Sequence, residues 1–367
     1  MSVRPLLVLQ SGDRGGAATV VLGLLRHRPE EVQPACVFLS DGPAREAVAA
    51  LGVPTAVVQA GRARDAWRAP GIVRALRGAI RAHRATAVFA HVSKAHLYAS
   101  PAAWLEGVPY LWWQHATPRP DQAMEQLARR LPAALVICSS DLAAQAQRSL
   151  GSGPPVARVH PGLDPPAGAG AALGGTTVGM LTRLQRLKRV ELALEAAPAV
   201  LAAVPGARFE IAGGASAAFD GDYPAELEAL TARLGLSHAV RFATEVADAQ
   251  AFLRSVDVLV HVAAVESFGL VYVEAMLAGV PVVAPDRGGG TEIVRDGVDG
   301  VLVDVEDRAA LSAAIVGLLQ DPARAARLAA SGRRRAESEF TAARMAAQAW
   351  ELVRSLAPGP TARPRGR

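Results

Sequence analysis

Two glutamates eight positions apart, Glu266 and Glu274, stand in the segment DVLVHVAAVESFGLVYVEAMLAGVPVVAPDRGGGTEIV. An apolar run ending near Val262 reads as a strand, Ser267 as the cap of a helix opening at Phe268, and Gly279 as the end of that helix before the strand PVVAP. Glu266 then lies in the loop ahead of the helix and Glu274 two turns inside it. At a rise of about 1.5 Å per residue the interval covers about 12 Å, comparable to the reach from a sugar across a pyrophosphate to a ribose. One carboxylate could accept hydrogen bonds from sugar hydroxyls and the other from ribose hydroxyls, with helix amides facing the phosphates between them. Solvent-facing glutamates are the plain alternative, but Glu274 falls within VYVEAML, where an unpaired charge is expensive.

Arg183 and Lys188, in GMLTRLQRLKRVELALEAA, come just past an apolar strand and before an amphipathic helix. Two cations there would neutralise a leaving pyrophosphate, although ordinary surface charge accounts for either residue taken alone. Gly15 and Gly16, in SGDRGGAATV after the strand PLLVLQ, would let a backbone approach an anion at a helix N-terminus. A simple strand-to-helix turn explains that pair equally well, and the spacing is neither a Walker loop nor the dinucleotide fingerprint. Cys36 and Cys138 lie in apolar strand-like runs and read as buried thiols, not as disulfide partners or metal ligands. No Asp-x-Asp metal site is assigned.

These groups need elements to carry them. Short apolar runs alternate with helical patterns: PLLVLQ, a helix from about Gly16 to His27, ACVFL, TAVVQ, a helix around Pro70 to His83, AVFAH, PYLWWQH and ALVICSS. Such alternation implies a parallel sheet covered on both faces. The Pro/Gly/Ala-rich stretch from His160 to Gly175 breaks the pattern and reads as an interdomain linker. The alternation restarts with TVGMLT, a helix from about Arg189 to Ala203, RFEIAG, a helix from Ala225 to Gly235, VRFAT, DVLVHV, PVVAP and GVLVD. The expected organisation is therefore two α/β doubly wound domains, 1–165 and 166–340, then a helix over 341–357 and a disordered tail over 358–367. A chain of 367 residues, half of them hydrophobic, is long enough for two cores. No run nears the ~20 apolar residues of a membrane-spanning helix, and the N-terminal apolar stretch is too short for a signal peptide, so the expected location is cytoplasmic. The net charge of +5 comes mainly from scattered Arg, without the aromatic-interleaved stripe of a nucleic-acid binder; Arg333 to Arg335, followed by Glu337 and Glu339, reads as a solvated helix face.

Taken in order, HPGLD, TRLQRLK, RFEIAGG, VRFAT, ESFGLVYVE, GVPVVAPDRGG and TEIVRDGVDGVLV make the chain resemble the large retaining GT-B glycosyltransferase family that also holds sucrose- and mannosyl-transferring enzymes, family four of the group 1 type. The resemblance covers nearly the whole chain. It implies two facing Rossmann-like domains with an interdomain cleft, the last helix packing back on the first domain, and transfer of a hexose-type sugar from a UDP- or GDP-sugar to an acceptor hydroxyl. It further implies that Arg183 and Lys188 hold the diphosphate and that Glu266, with Ser267 and the backbone of Phe268, Gly269 and Leu270, meets sugar and phosphate. Glu274 would bind the ribose, Gly16 beside Gly15 would lie near the phosphates, and His115 would stand beside the reacting sugar, with His91 a weaker candidate. The family's frequent Gly before the Arg is Thr182 here, and its Ser three residues ahead of the first Glu is Ala263, which bears on sugar specificity.

The resemblance implies transfer without a metal or other cofactor, by front-face attack in which the leaving phosphate accepts the acceptor's proton. Glu266 then positions the sugar and stabilises charge, a nucleophilic role being the minority view. A nucleotide-sugar 2-epimerase of the same fold, acting without acceptor, and a catalytically silent nucleotide-sugar-binding subunit are the alternatives. The acceptor stays open among a carbohydrate, a glycolipid and a small natural product. Trp67 with Arg74, Arg77, Arg81 and Arg84 would place arginines along one helix face, suited either to solvent or to peripheral contact with anionic lipid.

Overall fold

The computed structural model describes residues 2–61, 66–168, 170–214, 220–243, 246, 248–263 and 265–356; the expected tail over 358–367 lies outside them. The chain divides into two compact units, Met1–Asp164 with Ala342–Arg367, and Pro165–Thr341.

The first unit runs β1 (Pro5–Leu9), α1 (Gly16–Arg26), β2 (Ala35–Phe38), α2 (Pro43–Ala50), β3 (Thr55–Val57), α3 (Ala69–His83), β4 (Ala87–His91), α4 (Ser93–Glu106), β5 (Tyr110–Gln114), α5 (Ala123–Arg130), β6 (Leu135–Cys138), α6 (Asp141–Ser149) and β7 (Val156–Arg158). All pairings are parallel in the order β3-β2-β1-β4-β5-β6-β7. Strands β1, β2, β4 and β5 are buried along their whole length, as sheets covered on both faces demand. Cys36 and Cys138 are buried free thiols, and burial pushes the Cys138 thiol up to about 12.

The second unit runs β8 (Thr177–Leu181), α7 (Val190–Ala203), β9 (Arg208–Ala212), α8 (Tyr223–Arg233), β10 (Val240–Ala243), α9 (Ala249–Arg254), β11 (Val258–Val260), α10 (Leu270–Ala278), β12 (Val282–Pro285), α11 (Gly290–Ile293), β13 (Val301–Val303), α12 (Arg308–Leu319) and α13 (Pro322–Glu339). Its parallel sheet has the order β10-β9-β8-β11-β12-β13. Val178, Phe209, Val258 and Val283 from the strands share one core with Leu192, Val200, Leu311 and Ile315 from the helices.

The last helix, α14 (Ala342–Leu356), belongs to the first unit. Its fully buried Trp350 donates Nε1–H to the Leu24 carbonyl of α1 at 3.0 Å, and Met345 lies against Gly23. Where the chain passes between units, the Ala342 amide bonds the Leu163 carbonyl at 3.0 Å, so both passages leave the first unit side by side.

Candidate functional site

In open parallel sheets a ligand binds beyond the carboxyl ends of the strands where the winding reverses, because the flanking loops part there. The first sheet reverses between β1 and β4 and the second between β8 and β11. The loop after β8 carries Arg183 and Lys188, and the loop after β11 carries Glu266, so the two sequence signals meet at one reversal point.

The residues join more closely than spacing alone suggests. One oxygen of Glu266, Oε2, accepts from Lys188 Nζ at 2.7 Å and from His261 Nε2 at 3.0 Å. His261 is only 2% exposed and stands just past β11, with its ring edge-on to the buried Tyr272 at 5.3 Å between centroids. Burial raises the Glu266 carboxyl, but the bond from His261 and the Lys188 charge outweigh it and hold it at about 2. A carboxylate held this firmly in its ionised form is a poor base and a strong hydrogen-bond acceptor.

Arg183 is exposed and has no acidic partner among the described residues. Its strand-end backbone is pinned by Gly213: a side chain there would run into the Thr182 carbonyl, and the Gly213 φ of 147° favours glycine.

The helix following Glu266 begins later than expected. α10 opens at Leu270 with Gly269 as its N-cap (φ 100°), and no side chain caps it. Ser267 therefore does not cap a helix at Phe268. The left-handed backbone of Gly269 explains the delay, because helical geometry can begin only after it, and glycine is required there since a side chain would strike the Tyr272 ring. Glu274 consequently sits just over one turn inside the helix, not two, and the helical rise cannot be applied to the whole interval from Glu266. The uncapped first-turn amides of α10 remain an anion-favouring end. Close by, Gly289 donates its amide to the Glu266 carbonyl at 2.8 Å, with no room for a side chain against Ser267, so the glycines after β12 brace the loop that holds Glu266. Phe268 is buried edge-on against Phe340 at 5.8 Å.

The Glu274 carboxylate has no hydrogen-bond partner among the described residues, and burial pushes its carboxyl upward. Its backbone carbonyl, by contrast, accepts from Gln250 Nε2 at 3.3 Å. A partly buried acceptor without a protein donor is suited to the hydroxyls of a ligand. The chain does contain one Asp-x-Asp, Asp220-Gly221-Asp222. Asp220 accepts the Arg186 amide at 3.2 Å, and Asp222 precedes α8 as its N-cap residue.

In the first unit Gly15 and Gly16 open α1, again with no side-chain cap, and the space where a Gly15 side chain would project is open to 4 Å. At the ends of β4 and β5, His91 Nδ1 and His115 Nε2 meet at 3.0 Å. Burial lowers both imidazoles, His115 to about 3 and His91 well below its ordinary value, where the His115 charge adds to the effect. Of the arginines expected along one face of α3, Arg77 and Arg81 both bond Glu106 of α4, at 2.6 and 2.7 Å, which ties the two helices together. Of the cluster read as a solvated face, Arg333 pairs with Glu337, but Arg335 reaches the buried Asp299 at 3.4 Å. No helix among the described residues is long and apolar enough to cross a membrane.

His261 escaped the sequence reading because it closes the apolar run DVLVHV and looks like a core residue. The available signal was physical: an imidazole inside such a run needs a polar partner, and Glu266 lies five residues on.

Two Rossmann-like domains, each with its candidate groups at the reversal point of its sheet, define the GT-B class of architecture. Residues 14–166 match the family model described as Glycosyltransferase Family 4, and residues 169–335 match the one described as Glycosyl transferases group 1. The chain belongs to this glycosyltransferase family. Over 96% of its length it is similar to the whole of Anabaena HepE, solved with UDP and glucose (25% identity, TM-score 0.84). A likeness of fold extends to sucrose-phosphate synthase from Thermosynechococcus elongatus (21% identity, TM-score 0.78, covering 96% of this chain and 99% of that one). D-inositol 3-phosphate glycosyltransferase of Acidothermus cellulolyticus is 40% identical over 159 residues, 42% of this chain and 35% of that protein. The matches to such curated relatives span about a third to under half of their length.

Proposed function

We propose that the protein is a retaining glycosyltransferase that moves a hexose-type sugar from a nucleoside diphosphate sugar to an acceptor hydroxyl without a metal ion. The observation that carries this reading is the convergence at one sheet reversal of Arg183, the Lys188–Glu266–His261 cluster, the uncapped N-terminus of α10 and the unpartnered carboxylate of Glu274. Together they supply cations and amides for a diphosphate, one carboxylate for sugar hydroxyls and another for a ribose.

Arg183 and Lys188 do the work of a divalent cation, meeting the charge that develops on the leaving diphosphate. Lys188 is paired with Glu266 in the free protein, so its charge is held in place before the donor arrives. Glu266, ionised and doubly hydrogen-bonded, positions the sugar and stabilises the developing positive charge; its low basicity suits this role better than nucleophilic attack. The leaving phosphate takes the acceptor's proton. HepE was solved with UDP and with UDP-glucose, which favours a UDP-sugar over a GDP-sugar as donor. The inositol phosphate relatives put a phosphorylated polyol first among acceptors to try, ahead of glycolipids, polysaccharide precursors and small natural products.

The test is incubation of the protein with a panel of UDP- and GDP-sugars, followed by the acceptor series, with products read by mass spectrometry and anomeric configuration by NMR. Transfer with retention supports the reading. Conversion of a donor without any acceptor would reveal an epimerase, and binding without turnover of any donor would reveal a silent subunit.

A further inference from the structure

His91 and His115 end neighbouring strands, and three measurements describe how they meet. Their facing nitrogens are 3.0 Å apart, their planes differ by 16°, and their centroids are 5.3 Å apart. That separation belongs to two imidazoles touching edge to edge, because a face-to-face pair with the same nitrogen contact would bring the centroids closer. The contact is therefore an in-plane hydrogen bond holding a single proton. Trp113 lies nearly parallel to His115, 9° between planes, and flanks His91 as well.

We infer that His91 is a positioning residue: it donates Nδ1–H to His115 Nε2, which fixes His115 as the Nδ1–H tautomer and turns a hydrogen-bond donor outward at the carboxyl edge of the sheet. The decisive observation is His91 Nε2, which is buried and has no partner among the described residues. If Nε2 carried the proton, a donor would be buried unpaired; with the proton on Nδ1, only an acceptor is left over. Orphaned N–H groups are the rarer and costlier of the two. The bond direction follows, and with it the His115 tautomer. Nδ1 of His115 bonds no other described residue. Facing a substrate, such an imidazole donates to an oxygen and cannot take a proton at that edge. Depression of both imidazoles by burial keeps the pair neutral.

The surroundings hold this geometry rigidly. Val92, directly after His91, has a φ of 65°, a left-handed conformation that a β-branched residue avoids and that costs of order 1–3 kcal/mol. The buried carboxylate of Glu125 accepts from Ser93 Oγ at 2.9 Å and from Gln114 Nε2 at 2.9 Å, clamping the residues next to Val92 and to His115. Strain beside a buried polar clamp is where a fold preserves an arrangement that local preference opposes.

The consequence for catalysis rests on the reading above, in which His115 stands beside the reacting sugar; the tautomer itself does not. Long-range proton–nitrogen correlation on the ligand-free, histidine-labelled protein therefore decides the inference whether or not any donor turns over. The expected spectrum shows His91 and His115 both protonated at Nδ1, and an Nε2–H signal from His115 would overturn it. In His91→Phe, which keeps a flat ring against Phe89 and Trp113, His115 should lose its fixed tautomer and kcat should fall roughly fivefold with donor KM little changed, the effect of one neutral hydrogen bond. His91→Asn, whose amide N–H takes the place of Nδ1–H, should restore both. An unchanged His115 tautomer in a folded His91→Phe protein would refute the inference; a fixed tautomer with a kcat that Asn restores no better than Phe would instead overturn the placement of His115 beside the reacting sugar.

Discussion

Glu266→Gln preserves the shape of the side chain and removes its charge, so it reads what the Lys188–Glu266–His261 cluster contributes to the fold. A glutamate carboxyl with an ordinary value of 4.5 is held at about 2 here, and at about 1.4 kcal/mol per tenfold change this is roughly 3 kcal/mol of preference for the ionised form. Both side chains of the ion pair are 19% exposed, so solvent screens part of the interaction, and a loss of about 2–3 kcal/mol is expected near neutrality. Because the folded value lies below the unfolded one, the contribution is complete above the unfolded carboxyl's range and disappears as pH falls towards the folded value. Urea unfolding of both proteins from neutrality down to about pH 3 should thus show a gap that is flat above about pH 6 and narrows steadily below about 4.5. For a domain of this size the gap corresponds to roughly 5–10 °C in Tm. A variant as stable as the parent at neutrality, or a gap that widens in acid, would refute the argument that His261 and Lys188 outweigh the burial of this carboxylate.

Three further outcomes follow from the same geometry. Arg183→Ala and Lys188→Ala should each weaken UDP binding by about tenfold in calorimetry, the loss of one charge-assisted contact, and slow transfer as well; unchanged affinity and turnover in both would remove the diphosphate site. Glu274→Gln should weaken free UDP and UDP-sugar alike, whereas Glu266→Gln should leave UDP affinity intact or tighter, since Lys188 is released from its partner, while lowering kcat; identical profiles for the two variants would show that the donor does not lie along this helix as proposed. Transfer should persist in excess EDTA, and a complete loss reversed by magnesium or manganese would show that a metal, not Arg183 and Lys188, meets the diphosphate.

Periodicity and punctuation carried most of the architecture. Runs such as PLLVL and ACVF are apolar at every position, which only a strand covered on both faces tolerates, and their alternation with helical patterns demands parallel pairing. The break near Pro165, the carboxyl-edge placement of Arg183 and Glu266, and the burial of both cysteines are local consequences of composition, and they are legible for that reason. The start of α10 was misread because Ser267 satisfies every local rule for a cap; the left-handed φ of 100° at Gly269 lies outside the helical region and puts the start at Leu270.

What only the tertiary structure decided are the meetings of residues distant in sequence. Lys188 and Glu266 are 78 residues apart and His91 and His115 are 24 apart, so neither pair leaves a periodic trace. Each pair forms because the sheet order sets β8 beside β11 and β4 beside β5, bringing their following loops within one hydrogen bond of each other. Local propensity fixes which residues end a strand; which strand ends become neighbours is fixed by the packing of the whole sheet, and the chemistry of the site depends on those neighbours.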